Sequence, residues 1–271
     1  MAGNIGYAVI FSCLLCGCGK DKKDTVPEPE PEVVIPLVPP GESKHFGLTN
    51  YYEKFRALKV GADSIPIVSA KTVSDEALKR AGDVCAVLVG TLPNSSLPEL
   101  RRQRVYLAVF GNAQYPDVLP GWPRGLDATR YGGGFGPSPT YRACGVHEGD
   151  IMRNSFDRYK TENIVVHEFG HAIKNMALEV MDASFKKKIQ DLYDKAKAAG
   201  RWVNTYAGSN PDEYWAECIQ SYFNVNAPGP AGGDGIHNDI WNREKLAVYD
   251  AEMYGLLDAI YGGATLPPGE W

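Results

Sequence analysis

The sequence predicts an α+β protein in which a mixed α and β N-terminal half precedes a helical C-terminal half. Two observations predict the sheet: residues 64–70 alternate in polarity, and residues 104–111 form an apolar, β-branched run. A third predicts the helices, because from Thr161 onward apolar residues recur at spacings of three and four. The expected architecture is therefore a mixed sheet lobe followed by a helical lobe.

The N-terminus has the features of an export signal. Residues 5–18 are apolar but shorter than the about 20 residues that span a bilayer, so residues 1–18 are predicted to be a signal peptide. The triplet Leu15-Cys16-Gly17 before Cys18 resembles a bacterial lipobox, which implies that Cys18 is lipidated and anchors the chain to a membrane. A plain cleaved signal is the alternative, since no Lys or Arg precedes the apolar run. Either interpretation places the protein outside the cytoplasm, at a bacterial surface or in the periplasm.

A spacer and one folded domain are expected after the signal. Residues 19–45 are predicted to form an extended linker, because residues 25–40 are rich in Pro and Glu. The folded domain is then expected over residues 46–271. The net charge of −5 provides no basic footprint, so we expect no nucleic-acid partner.

Six cysteines reduce to three once the signal is set aside. Cys85, Cys144 and Cys218 are far apart in sequence and include no C-x-x-C pair. They are expected to be core cysteines or to form one bridge, rather than a metal cluster.

The N-terminal half is expected to contain these elements in order. Helical spacing of Tyr52, Phe55 and Leu58 predicts a helix within 48–60, followed by the strand at 64–70. A helix over 73–82 begins after the N-cap candidate Ser74, and 84–90 either continues it or starts a strand. The strand at 104–111 precedes a long segment, 112–145, rich in Gly, Pro and Tyr, which is of the kind that often carries binding.

Four helices are predicted in the C-terminal half. They are the helix that follows Thr161, a helix over 182–199 with Asp182 as N-cap, one over 210–223 that begins at Asn210-Pro211, and one over 239–261 that stops at Gly262.

The first of these helices carries a metal-binding pattern, His167-Glu168-Phe169-Gly170-His171. Two histidines four residues apart lie on one face of a helix, at a spacing that suits two ligands of a tetrahedral zinc ion. Glu168 lies beside that face, where it can take a proton from a water that the metal activates. Gly170 allows another segment to pack closely against this helix.

A third ligand is expected from the helix at 210–223. Glu213 and Glu217 are four residues apart and share a helix face, which suits a carboxylate ligand and a partner that orients a histidine. The alternative is structural: Asn210 and Glu213 match a capping box with Pro211 at the first position, and Glu217 matches a solvated helix residue.

The pairing of HEFGH with NTYAGSNPDEYWAECIQSYF resembles the gluzincin peptidases related to anthrax lethal factor and the pro-pro endopeptidases. The resemblance covers about residues 160–225 and implies a zincin-like fold with one zinc ion, Zn2+. It implies His167, His171 and Glu213 as zinc ligands and Glu168 as general base. It further implies Tyr206, seven residues before Glu213, as the donor to the oxyanion, and Glu217 as the acceptor of a hydrogen bond from a ligand histidine.

Three other features are expected to be peripheral. His147 and His237 are predicted to be polar loop histidines. The Gly-rich segment 131–136 lacks the ending and setting of a phosphate loop and is expected to flank the cleft. A peptide substrate is expected to add as a strand at an exposed edge near 104–112.

The function predicted from these residues is zinc-dependent hydrolysis of peptide bonds in peptides or proteins outside the cytoplasm. Two alternatives remain open from the sequence. One is a surface zinc-binding lipoprotein without turnover, and the other is an amide hydrolase that acts on cell-wall substrates.

Overall fold

The computed structural model describes residues 37–269, which lie within one compact unit. The predicted signal at 1–18, the lipidation site Cys18 and linker residues 19–36 lie outside the described residues. No helix within 37–269 has the length and apolar character needed to cross a membrane.

A five-stranded mixed sheet forms the first half of the described chain, in the order β1-β2-β3-β5-β4. Its three central strands are parallel, and both edge strands are antiparallel to their neighbours. The bounds are β1 Lys54–Val60, β2 Asp63–Ser69, β3 Tyr106–Phe110, β4 Gly134–Phe135 and β5 Ala143–His147. The strands predicted at 64–70 and 104–111 are confirmed as β2 and β3, while β4 and β5 were not predicted.

The helix predicted within 48–60 is wrong, because β1 occupies most of that segment. Gly61, at φ +61°, makes the turn that folds β1 back on β2. Phe55 and Leu58 are both buried although they lie on opposite faces of the strand. One buried residue on each face of the strand therefore produced the spacing of three that suggested a helix.

The position of β3 also corrects the expected substrate edge near 104–112. This strand lies between β2 and β5 and has no free edge. The edge strand on that side of the sheet is the short strand β4, whose two residues are buried.

Four helices belong to this half: α1 Pro40–Phe46, α2 Asp75–Gly90, α3 Ser96–Arg102 and α4 Glu148–Met152. Ser74 caps α2 as predicted, with its side chain accepting from Ala77 N, and residues 84–90 continue the helix. The linker boundary at 45 needs correction, because α1 is already folded. Phe46 is buried and Arg101 donates two hydrogen bonds of 2.8 and 2.9 Å to the Glu42 carboxylate.

The second half is helical, as predicted. The elements are α5 Ile164–Ile173, a π-helical turn at Lys174–Leu178, α6 Glu179–Met181, α7 Ala183–Ala198, α8 Pro211–Tyr222, α9 Arg243–Tyr249 and α10 Ala251–Tyr261. Asp182 and Asn210 cap α7 and α8 as predicted, and Gly262 ends α10 at φ +56°.

The single helix predicted over 239–261 is wrong, because the helix is interrupted at Asp250, between α9 and α10. The buried Asp250 carboxylate accepts hydrogen bonds from Trp202 Nε1 at 2.8 Å and from Tyr214 Oη at 2.7 Å. These hydrogen bonds fix Asp250 between the two helices. Because both donors are distant in sequence, the local periodicity did not predict the interruption.

The three cysteines outside the signal are buried and free, so the expected core role holds and the alternative of a bridge does not. Burial raises the pKa of the Cys85, Cys144 and Cys218 thiols.

Candidate metal centre

Helix α5 presents its two histidines on one face while it is anchored in the core by another. Asn163 caps the helix by accepting a hydrogen bond from Val166 N at 3.2 Å. Phe169 is fully buried in the core, whereas His167 and His171 keep 7% and 8% of their surface exposed. The imidazoles are therefore held at the boundary between the core and the solvent.

Helix α8 brings the third candidate ligand, Glu213, to this face. Asn210 Oδ1 accepts from Asp212 N at 2.9 Å and from Glu213 N at 3.0 Å, so the capping interpretation is correct for the backbone. The side chain of Glu213 is left free to reach the histidines. The two interpretations of Asn210 and Glu213 are therefore compatible.

The close approach of α8 to α5 depends on Gly170. Trp215 Nε1 donates to the Gly170 carbonyl at 3.0 Å. A Cβ on Gly170 would lie 3.2 Å from Ile219 Cδ1, closer than ordinary van der Waals contact. The glycine between the histidines thus leaves room for Ile219 and Trp215 of α8, in agreement with the close packing that the sequence suggested.

Two histidine nitrogens and one carboxylate oxygen converge at the helix crossing. His167 Nε2 and His171 Nε2 lie 3.1 and 3.2 Å from Glu213 Oε2. Ligands of a tetrahedral zinc ion with bonds of 2.0–2.1 Å are about 3.3 Å apart. The donor types and their spacing fit a zinc ion held by His167, His171 and Glu213.

The electrostatics of the three residues are strongly coupled. Burial alone would raise the pKa of Glu213, but its hydrogen bonds to His167 and His171 hold that pKa well below its usual range. Burial would lower the pKa of His167, and the carboxylates of Glu213 and Glu217 raise it instead. The pocket therefore favours positive charge where the three side chains meet.

Glu168 lies beside this point. One ligand atom from each of His167, Glu168 and His171 lies within 4.8 Å of the others. Burial raises the pKa of Glu168, and the two histidines oppose that rise. A carboxylate with a raised pKa in this position suits a general base.

The Gly-rich segment packs directly on this face of α5, through strand β4. A Cβ on Gly134 would lie 2.7 Å from Glu168 Cγ, and one on Gly136 would lie 2.7 Å from His171 Cβ. Only glycine allows the strand backbone so near the helix. The expectation that this segment flanks the site therefore agrees with the structure.

Tyr206 also reaches the site. Its ring stacks on the ring of His167, with centroids 6.2 Å apart and 19° between the planes, and 43% of the residue is exposed. Burial and the neighbouring Glu213 raise the pKa of its phenol, so Tyr206 keeps its proton. A protonated phenol on the open side of the site is able to donate a hydrogen bond.

Glu217 was predicted to accept a hydrogen bond from a ligand histidine, and the structure places a second acceptor, Gln220, at the same imidazole. His167 Nδ1 lies 2.8 Å from Gln220 Oε1 and 3.4 Å from Glu217 Oε1. Gln220 is therefore the closer acceptor. Positions 213, 217 and 220 follow a spacing of four and three along one helix face, and this was the signal that could have revealed Gln220.

Both histidines expected in polar loops are more constrained than predicted. His147 is fully buried at the end of β5, where its Nε2 lies 2.9 Å from the Asn112 carbonyl. The side chain of His237 is 15% exposed and its Nε2 lies 3.5 Å from Glu162 Oε2. The two histidines therefore have partners of their own, Asn112 and Glu162, outside the set of three converging residues.

No protein-family model and no curated protein matches this chain. A solved structure of a pro-pro endopeptidase from Paenibacillus alvei is similar in fold. The two chains are 18% identical in sequence. Their alignment covers 70% of this chain and 95% of the endopeptidase chain, with a TM-score of 0.43. The function proposed next therefore rests on the side chains of the site.

Proposed function

We propose that this protein is a zinc-dependent endopeptidase of the gluzincin type with a zincin-like fold. The observation that carries the proposal is the convergence of His167, His171 and Glu213 within 3.1–3.2 Å, beside the buried carboxylate of Glu168. The order and spacing of these residues, together with Tyr206, resemble that family. A site that only stored zinc would have no use for a base at Glu168.

His167, His171 and Glu213 would hold the ion. Zinc in such a site lowers the pKa of water to about 7 and polarises a carbonyl group. Glu168 accepts a proton from the attacking water and passes it to the amine that leaves. Tyr206 donates its phenolic proton in a hydrogen bond to the carbonyl oxygen as negative charge develops there.

We also propose that the domain works outside the cytoplasm and is tethered through a lipid on Cys18. The apolar segment and the lipobox-like triplet support this. In a bacterial host that expresses the full chain, labelling with a fatty acid should be lost in Cys18→Ala and kept in Cys16→Ala. Equal labelling of both variants would contradict the tether.

The decisive experiment compares the wild type with Glu168→Gln on a peptide library and on peptidoglycan, with and without a chelator. We expect chelator-sensitive peptide cleavage by the wild type and none by Glu168→Gln, with equal zinc content. The matched control is Glu244→Gln, which makes the same change at an exposed position of α9 and should cleave normally.

Each other outcome contradicts the proposal in a different way. Cleavage that survives in Glu168→Gln would remove the general base from the mechanism. Zinc binding without cleavage of either substrate would indicate the non-catalytic lipoprotein. Cleavage confined to peptidoglycan would indicate a cell-wall amide hydrolase.

A further inference from the structure

A glycine-rich loop, residues 227–238, holds the backbone that carries Tyr206. Tyr206 N donates to the Ile236 carbonyl at 2.7 Å, and Gly235 N donates to the Asn204 carbonyl at 2.9 Å. The side chain of Asn204 donates to the Gly233 carbonyl at 2.7 Å. The position of Tyr206 therefore depends on where this loop lies.

The loop needs glycine where it meets the Tyr206 segment. Gly233 has φ +81°, and a Cβ there would lie 2.1 Å from the Asn204 carbonyl oxygen. Within the loop, Asp234 Oδ1 accepts from Ile236 N at 2.9 Å and His237 N at 2.8 Å. This turn directs the side chain of His237 inward while Ile236 stays 54% exposed.

His237 lies close to two buried acidic residues, Glu162 and Glu217. One ligand atom from each of Glu162, Glu217 and His237 lies within 4.8 Å of the other two. Glu162 and Glu217 are only 4% and 3% exposed. Two buried carboxylates are costly unless a nearby cation compensates them, and a histidine is suited to that role. Burial would lower the pKa of His237, but the Glu162 carboxylate raises it.

Glu162 also connects to the site. It immediately precedes Asn163, the N-cap of α5, and it accepts from Gln220 Nε2 at 3.2 Å. Gln220 in turn contacts His167 Nδ1 through its Oε1 at 2.8 Å. The contact between His237 and Glu162 thus ties the loop to the base of the helix that carries the predicted ligands.

We propose that His237 is a positioning residue whose contact with Glu162 clasps the 227–238 loop to α5 and thereby fixes Tyr206 beside the metal site. This inference rests on the function proposed above for the catalytic step, but the clasp itself does not require turnover. Ile236, the acceptor for Tyr206 N, is adjacent to His237, so movement of one displaces the other.

A second metal ion among Glu162, Glu217 and His237 is the competing interpretation. The hydrogen bonds already present disfavour it. Gln220 donates to Glu162, and Asn226 Nδ2 donates to Glu217 Oε2 at 3.1 Å, so each carboxylate already has an amide donor. Counting metal ions per chain decides between the two.

The test compares the zinc-loaded full-length wild type with His237→Ala. Amide hydrogen exchange is measured by mass spectrometry on peptides that cover 203–209 and 229–238. We expect exchange at these peptides to be about tenfold to a hundredfold faster in His237→Ala, since the ion pair of His237 Nε2 with Glu162 Oε2, 3.5 Å apart, is lost. His237→Gln, which keeps a polar side chain but cannot form the ion pair, should restore only part of the protection.

Activity supplies the second readout. On a cleaved peptide, His237→Ala should lower kcat by about tenfold with KM nearly unchanged, because a contact made in the transition state is misaligned. Both variants should bind one zinc ion. His45→Ala is the matched control, because it removes another partly buried histidine. His45 lies in α1, and its Nε2 is 3.1 Å from the Arg101 carbonyl oxygen. This control should change neither readout.

The outcomes separate the clasp from the proposed function. Unchanged exchange in His237→Ala would overturn the clasp, and faster exchange with an unchanged kcat would overturn the positioning role. Two zinc ions in the wild type and one in His237→Ala would establish the second metal site instead. If the wild type cleaves nothing, the proposed function fails, while hydrogen exchange still tests the clasp.

Discussion

The most demanding test of the site geometry is the substitution Gly134→Ala in strand β4. The added methyl group would lie 2.7 Å from Glu168 Cγ, 2.8 Å from Ile164 Cγ2 and 2.9 Å from the Gly145 carbonyl oxygen. Ordinary contacts between carbon atoms are about 3.5–4.0 Å, so the gaps must open by about 0.6–0.8 Å or more. Rotation of one side chain does not relieve all three contacts, because the third is with backbone of the neighbouring strand β5.

The strand and the helix must therefore separate by roughly 0.7–1 Å, because protein interiors compress little. A displacement of about 1 Å in a catalytic group lowers the rate by about a hundredfold. Overpacking of this kind also costs about 1–3 kcal/mol of unfolding free energy. At about 2–4 °C per kcal/mol for a domain of this size, the melting temperature should fall measurably.

The assay is kcat/KM on a peptide cleaved by the wild type, together with zinc content and thermal unfolding. Gly90→Ala is the matched control, since it adds the same methyl group to an exposed glycine with no atom within 4 Å. We expect Gly134→Ala to lose activity while it still binds zinc, and Gly90→Ala to match the wild type. If both variants keep wild-type activity and melting temperature, β4 does not press against Glu168 and the packing argument is wrong.

Three further predictions concern Tyr206, the buried Lys174 and the three buried cysteines. Tyr206→Phe should lower kcat about a hundredfold to a thousandfold with zinc content unchanged, as loss of an oxyanion donor does; loss of zinc would instead make the tyrosine structural. Lys174→Met should lower the free energy of unfolding in urea by about 1–3 kcal/mol, because the buried ammonium group lies 2.5 Å from the carboxylates of both Asp212 and Glu179. Partial solvation of Asp212 keeps this loss below that of a fully buried ion pair. Wild-type stability of the variant would refute a stabilising role for these ion pairs. Iodoacetamide should label the three cysteines outside the signal only after unfolding, since burial raises their pKa; mass spectrometry of the folded protein would reveal any that is accessible.

The sequence predicted that His167, His171 and Glu213 come together because its signals are local. His167 and His171 share a helix face by spacing alone, and Asn210 with Pro211 marks the start of the helix that brings Glu213. The same holds for the helix starts at Ser74 and Asp182, where a polar cap precedes an amphipathic run.

What the sequence did not predict depends on distant contacts. β1 buries one residue on each face instead of alternating buried and exposed residues, and β4 is two residues long. The contact of His237 with Glu162 spans 75 positions, so neither residue is distinctive within its own segment. The break at Asp250 likewise depends on Trp202 and Tyr214, which no local pattern connects with it.

Glycines on both sides of α5 explain how the site keeps its shape. Gly134 and Gly136 admit β4 on one side, and Gly170 admits α8 on another. Close packing on these faces fixes the rotation of the helix, and the rotation fixes the directions of His167 and His171. Because this packing consists of backbone and apolar contacts, it does not need a metal ion to form. Zinc should therefore bind a ready-made site, and its removal should lower stability by mass action without unfolding the chain, unlike the behaviour of small zinc domains that fold only around their metal.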